Sequence, residues 1–254
     1  MNKVPIIVLV AVGVLLVGIL VLTFVGGVGV FLASDGVRGS GNIVTESREV
    51  DGFVRVEICC GLKLNLLQGE PTTVSITGDD NIVPEIQTNV RGDTLIVSWD
   101  ATFDRHHPTQ QVVVDVTMTV VEGVELSGGA ALESATLTTD QFALKTSGGS
   151  RAEIDSLVAG TFELDSSGGS NTSIDSGQVA DQKVRLNGGD SLDAANMESQ
   201  RADIGASGGS DITIWVTESL VLKASGGSDV TYYGSPMVEQ DVSGGSQVQS
   251  KGER

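Results

Sequence analysis

Large aromatic side chains are scarce in this sequence, at 4% of 254 residues, whereas glycine occurs 33 times. A compact globular core draws heavily on aromatics, so their scarcity argues against one. A stack of thin coils needs small and β-branched residues inside and glycine at its corners. Cysteine is confined to the adjacent pair Cys59 and Cys60. A bond between neighbours requires a distorted peptide, and on a strand their side chains point to opposite faces. The pair therefore reads as one buried and one exposed thiol, with a vicinal redox pair as the alternative; neither is assigned a function.

Positive charge is equally sparse. Lys3 is the only charged side chain in residues 1–33, so the remainder carries 14 basic and 33 acidic side chains. Its formal net charge is −19, against −18 for the whole chain. Such a surface excludes nucleic acid as a natural partner and disfavours docking on anionic lipid. The uncharged run over residues 4–33 exceeds the roughly 20 residues that span a bilayer, and signal-peptide cores are shorter, at about 7–15 residues. It reads as one transmembrane helix, a signal anchor, with a cleaved signal as the alternative. Lys3 before the run and Asp35, Arg38 and Glu46 after it favour a cytoplasmic N-terminus, which puts the rest outside the cytoplasm. Residues 34–47, rich in glycine and serine, read as a polar spacer.

Seven glycine pairs then recur, at Ser127-Gly-Gly-Ala130, Ser147-Gly-Gly-Ser150, Ser167-Gly-Gly-Ser170, Asn187-Gly-Gly-Asp190, Ser207-Gly-Gly-Ser210, Ser225-Gly-Gly-Ser228 and Ser243-Gly-Gly-Ser246. Their starts are 20, 20, 20, 20, 18 and 18 residues apart, a structural period. Polarity alternates between the corners. Phe142 and Leu144, Phe162 and Leu164, Ala202 and Ile204, and Leu220 and Leu222 face inward before them. Leu132, Ile154, Ile174, Ile212 and Val230 do so after them, while Glu133, Glu153, Asp193, Thr213 and Thr231 face outward. Two short strands per turn with a tight glycine corner make one coil of a β-helix, stable only when stacked about 4.8 Å from the next. Residues 48–126 lack the glycine corner but continue the alternation, and read as the first, less regular coils. Asp100 to Gln110, with His106 and His107, reads as an exposed loop. The fold expectation is all-β: a solenoid of roughly 20-residue coils over residues 48–250, behind one N-terminal transmembrane helix, with a charged tail at 251–254.

Three features stand out: the opening Arg48-Glu-Val-Asp-Gly-Phe53, the run Val74-Ser-Ile-Thr-Gly-Asp-Asp-Asn81 followed by Ile86-Gln-Thr88 and Gly92-Asp-Thr-Leu95, and the serial Ser-Gly-Gly corners. Together they resemble the putative auto-transporter adhesin, head GIN domain family. The resemblance covers about residues 46–250. It implies a right-handed β-helix on an envelope protein with an adhesive role, and it brings no catalytic residues. The vicinal cysteines depart from the pattern.

Chemical motifs are weak. Gly205-Ala-Ser207-Gly-Gly209 fits the G-x-S-x-G nucleophile pattern, but its serine belongs to the repeated corner, no helix follows, and the two histidines lie far upstream. Asp190, Asp211 and Asp229 near the corners invite a calcium ladder, although solvated surface accounts for them better. His106 and His107 lack further zinc ligands. No enzyme, cofactor or metal is expected. In the two shortened coils Trp215 and Tyr233 stand eight residues after their corner serines, beside Asp211, Thr213, Asp229 and Thr231. Aromatic faces flanked by hydroxyls and carboxylates suit a sugar platform; the bland alternative is that the rings cover the gap left by the missing residues. The functional expectation is a membrane-tethered surface binding or adhesion module with a glycan or envelope protein as partner. The alternative is a structural or regulatory envelope component without a dedicated ligand.

Overall fold

Inward apolar positions that repeat every 20 residues have one way to leave water: coil must lie on coil. The computed structural model describes residues 36–100 and 106–254 and shows this arrangement, a β-solenoid of about six turns. The anchor expected over residues 4–33 lies outside the described residues. Among those described, no helix is long and apolar enough to cross a membrane. Ala131–Ser147 pairs in parallel with Arg151–Ser167, which pairs with Asn171–Ile174 and Gly177–Gly188, then Ser191–Gly208 and Asp211–Ala224. Asp229–Tyr233, Met237–Val242 and Gln247–Ser250 complete the stack.

The register follows the glycine corners residue for residue. Phe142 lies on Phe162, Leu144 on Leu164 and Leu132 on Ala152, all buried. The phenylalanine rings stack with centroids 6.1 Å apart. Each such side chain contributes about 1.5–3 kcal/mol by leaving water. The coils have three sides rather than the expected two. A short stretch with inward Leu137 and Leu157 joins the side that follows each glycine corner to the side that precedes the next.

The corner itself explains the serine that follows five of the seven glycine pairs. Gly168 and Gly169 both have positive φ, at 79° and 84°, and an added Cβ on Gly168 would lie 3.1 Å from the Gly148 nitrogen. Two such residues turn successive N–H groups towards one point, where they need an acceptor. The next coil supplies it. Gly227 and Ser228 donate to Ser246 Oγ at 3.2 and 3.0 Å, Ser210 donates to Ser228 Oγ, and Ser150 to Ser170 Oγ. Ser150, Ser170, Ser210 and Ser228 are buried, and their hydroxyls donate in turn to the corner carbonyl three residues back, as Ser150 does to Ser147 at 2.8 Å. Asp190 occupies the same buried column. One of its oxygens accepts from Gly169 and Ser170 at 2.9 and 2.7 Å, while Oδ2 is buried without a partner. The solvated-surface reading is corrected for Asp190, which is buried in the corner column, whereas Asp211 and Asp229 are exposed.

The N-terminal part differs more from expectation. Arg55–Cys59 and Lys63–Gln68 form a coil that lies beneath Gly123–Ser127 and the start of Ala131–Ser147 on one side. On its other side lie Thr94–Trp99 and Val113–Met118. Chain order and stacking order therefore part company here. Ile43–Arg48, Thr73–Asp79 and Ile86–Arg91 add antiparallel strands that close this end, with the 3₁₀ turn Val83–Glu85 bringing Ile82 and Val83 into the core. The expected spacer is corrected with it: Val37–Arg38 pairs with His106–His107, and Ile43–Arg48 is a strand of the domain.

Cys59 and Cys60 are joined by a disulfide, not left as separate thiols. The alternation argument fails because the strand stops at Cys59. Cys60 and Gly61 have φ of 66° and 76°, against 59° and 79° at Gly128 and Gly129, with Cys59 in register with Ser127. Cys59-Cys-Gly-Leu62 is thus the same corner as Ser-Gly-Gly-Ser in other residues.

Replacing Asp190 with Ser retains the acceptor for the corner N–H groups and removes the partnerless carboxylate oxygen. Asp190→Ser is expected to stabilise the chain by about 1 kcal/mol, and Asp190→Ala to destabilise it by about 1–3 kcal/mol, in urea unfolding. A serine variant less stable than the parent contradicts this account of the corner.

Candidate functional site

Parallel stacking turns each outward position into a row. On the side that precedes the glycine corner, three ion pairs join neighbouring coils. Lys183 pairs with Glu163, Arg185 with Asp203 at 2.7 Å, and Arg201 grips Asp181 with two bonds at 2.7 and 2.9 Å. The Arg201 hydrogen bonds hold the Asp181 carboxyl below its usual range, and Glu163 raises the Lys183 ammonium. Ser207, the serine of the nucleophile-like motif, donates to Asn187 Oδ1 at 2.9 Å, a bond between neighbouring corners.

The side that follows the corner is different. Its rows run Glu133, Glu153, Ser173, Asp193, Thr213, Thr231 and Asn171, Ser191, Asp211, Asp229. Towards its N-terminal end the carboxylates are held: Lys63 pairs with Glu133 at 2.7 Å, Arg151 with Glu153 at 3.2 Å, and Asn65 donates to Asp115 at 2.8 Å. Asn65, Asp115, Glu133 and Glu153 line a groove of about 630 Å³ together with exposed Leu67. Further along, exposed Asp211 and Asp229 have no ion-pair partner among the described residues. The structure brings all six expected site residues together. Asp211 is in register with Asp229, Thr213 with Thr231, and Trp215 with Tyr233.

The aromatic pair stands where the coil length changes. Ala194 pairs with Ile214 and Glu198 with Trp215, so Ala195, Asn196 and Met197 have no counterparts in the shorter coil. Both rings are half-buried. The segment after Gln247–Ser250 folds over them: Lys251 donates to the Tyr232 carbonyl, and the Arg254 guanidinium lies 4.9 Å from the Tyr233 ring centre. No sequence feature signals this contact, because nothing in the repeat specifies where residues 251–254 travel.

At the opposite end, His106 is 8% exposed and stacks on Trp99, with centroids 5.2 Å apart, which corrects its place in an exposed loop; His107 is exposed. Among the described residues no group of three or more histidine, cysteine or acidic side chains is placed to hold a metal ion. The Asp79-Asp-Asn81 run is a clamp. Buried Asp79 accepts from the Thr109 hydroxyl and N–H at 2.7 and 2.8 Å and from the Gly41 N–H at 2.7 Å. Asp80 accepts from Ser40 and Asn42, and Asn81 bonds Ser40 and the Arg38 carbonyl. Burial pushes the Asp79 carboxyl up, but the hydrogen bonds from Thr109 and Gly41 outweigh it and hold it below the usual carboxylate range.

Residues 52–236 match the family model described as "Putative auto-transporter adhesin, head GIN domain". Among solved structures, a "putative adhesin" from Bacteroides fragilis is similar with a TM-score of 0.76 at 22% identity, over 85% of this chain and 100% of that one. A "putative adhesin" from Parabacteroides merdae gives 0.68 at 20% identity, over 85% and 99%. A "putative lipid binding protein" from Parabacteroides distasonis gives 0.67 at 15% identity, over 84% and 98%. At these identities the likeness is one of fold. No curated protein matches the chain.

Because the Asp79 carboxyl is depressed in the folded state, its contribution to stability is complete above the unfolded value near pH 4 and is lost as pH falls through the lower folded value. Urea midpoints of the parent are expected to drop across that acid window. Asp79→Asn should lower the midpoint at pH 7 and flatten the acid dependence; an unchanged slope rules out the clamp as its source.

Proposed function

The chain belongs to the putative auto-transporter adhesin, head GIN domain family, and from that premise we propose that its solenoid is a surface binding or adhesion module that works without turnover. The observation that carries this reading is the inequality of the two outer sides. One joins neighbouring coils by three ion pairs, Lys183–Glu163, Arg185–Asp203 and Arg201–Asp181. The other leaves Asp211 and Asp229 free, next to Thr213 and Thr231 and bordered by Trp215 and Tyr233. A flat strip of unspent acceptors and hydroxyls edged by aromatic faces is a contact surface for a polyhydroxylated or protein ligand. Similar folds described as adhesins support the same class.

In this reading the partner is a glycan or an envelope protein, and residues 4–33 hold the solenoid to the membrane on its extracytoplasmic side. The length and uncharged character of that run support the tether, and the surplus of acidic side chains beyond it is compatible with export.

Two measurements test these statements. Full-length chain incubated with envelope extracts is expected to retain a glycan or protein, and Thr213→Arg with Thr231→Arg to reduce retention at least about fivefold, whereas Lys183→Gln leaves it unchanged. Equal retention by the arginine variant removes the strip from consideration; no retention at all favours a structural envelope component. Protease added to intact spheroplasts should degrade the solenoid and leave a membrane-bound remnant. Protection of the solenoid, or its release as a processed soluble protein, refutes the tethered topology.

A further inference from the structure

The last coil of the solenoid has a neighbour on one side only. Met237–Val242 pairs with Asp211–Ala224, Gln247–Ser250 pairs with Asp229–Tyr233, and among the described residues no strand is stacked beyond them. Its inward column shows the consequence. Leu220 and Ala224 are 0% and 2% exposed, whereas Val238 and Val242, in register with them, are 39% and 37% exposed. The backbone is open in the same direction. Gln247 and Lys251 donate to the Ser228 and Tyr232 carbonyls of the preceding coil, so by strand alternation the Ser246 carbonyl and the Val248 N–H face away from it. Such an edge is a template for a further strand.

The corner Ser243-Gly-Gly-Ser246 is open with it. Gly244 and Gly245 have φ of 66° and 87°, the same left-handed pair that turns the amides at Gly169 and Ser170 towards the following coil. There the acceptor that arrives is a carboxylate: Asp190 Oδ1 takes both N–H groups, at 2.9 and 2.7 Å. A serine hydroxyl serves the equivalent corner at longer range, with Gly227 and Ser228 reaching Ser246 Oγ at 3.2 and 3.0 Å. The segment that carries Asp190 also shows how a strand enters. Ser191 donates its N–H to the Ser170 carbonyl at 2.9 Å, and buried Leu192 lies on Thr172. A carboxylate is better suited still to the last corner. Inside the stack Asp190 Oδ2 is buried without a partner, whereas at the end of the solenoid the second oxygen stays in water.

We propose that the corner Ser243-Gly-Gly-Ser246 and the strand Gln247–Ser250 form a binding site for an extended segment of a partner protein, added as a parallel strand. An aspartate at the start of that segment accepts from Gly245 and Ser246 N–H. The next residue donates its N–H to the Ser246 carbonyl, and an apolar residue after it covers Val248. Main-chain pairing holds the segment, while the corner and Val248 select its side chains. A second copy of this chain is a poor occupant. Its opposite end is closed by the antiparallel strands Ile43–Arg48, Thr73–Asp79 and Ile86–Arg91, and like ends bring Glu239 and Asp241 against the same carboxylates. The site uses neither the aromatic pair nor the acidic and threonine rows, so it stands independently of the adhesive strip.

The probe is the peptide Gly-Gly-Asp-Ser-Leu-Asp-Ala, the sequence of residues 188–194, carrying fluorescein at its amino end and an amide at its carboxyl end. Titrated with the full-length chain, it is expected to bind saturably. Replacing its first aspartate with alanine, or methylating the backbone nitrogen of its serine, should weaken binding at least about tenfold. Replacing its second aspartate, which faces outward, should change binding about twofold or less. On the chain, Val248→Pro removes an N–H that faces away from the preceding coil, as edge strands tolerate, and should abolish binding while urea unfolding shows the variant folded. If that variant does not fold, the peptide series decides with the parent alone. The proposal is overturned if the peptide does not bind, if the first aspartate or the serine N–H proves dispensable, or if folded Val248→Pro binds as the parent does. Self-association of the parent that the peptide reverses in sedimentation overturns the choice of a partner protein over a second copy.

Discussion

Backbone pairing between successive coils is the constraint on which everything else in this chain depends. A coil of some 20 residues has no interior of its own, so its apolar side chains are dry only when another coil lies above and below. Parallel pairing fixes residue against residue, and the glycine corner must then occur at the same place in every coil. The corner in turn creates convergent N–H groups that have to be satisfied, which is the role of the serine, or in one coil Asp190, supplied from the neighbouring turn. Glycine, serine and period are therefore one requirement expressed three times.

That economy explains why residues from 127 onward were readable. The inward set, the outward rows and the pairing of Trp215 with Tyr233 follow from counting alone, because a period-two pattern locked to a fixed corner leaves no freedom of register. The third side of each coil was less legible, since it is short and its polarity does not alternate cleanly. Before residue 127 the count fails. The coil at Arg55–Gln68 is laid down first but lies inside the stack, beneath a later one, and no local pattern records that order. Cys60 illustrates the limit from the other side: a residue with a Cβ occupies a position held elsewhere by glycine, so the corner was present but spelled differently. His106 and residues 37–48 were misplaced for a related reason. Polar and glycine-rich segments look alike whether they are solvated or clamped, and here the clamp is a carboxylate some forty residues away, at Asp79.

The candidate site arises from a departure from regularity. Loss of two residues per coil shifts the register between Ala194 and Arg201 without disturbing the corner, and Trp215 and Tyr233 stand at that shift. In the proposed function the contact strip falls where the repeat is broken, and the unbroken coils support it.

The bonds from corner amides to serine hydroxyls run in one direction: the hydroxyl of the following coil serves the amides of the preceding coil, as Ser246 serves Ser228 and Ser170 serves Ser150. Coils are consequently interchangeable in number but not in orientation. Inserting or excising a whole turn, cut from one serine to the next, keeps every donor matched, whereas cutting between corners strands a pair of amides in the interior. The rod is in effect a ruler graduated in steps of about 4.8 Å, and its reach can be lengthened or shortened in heredity without redesigning any single graduation.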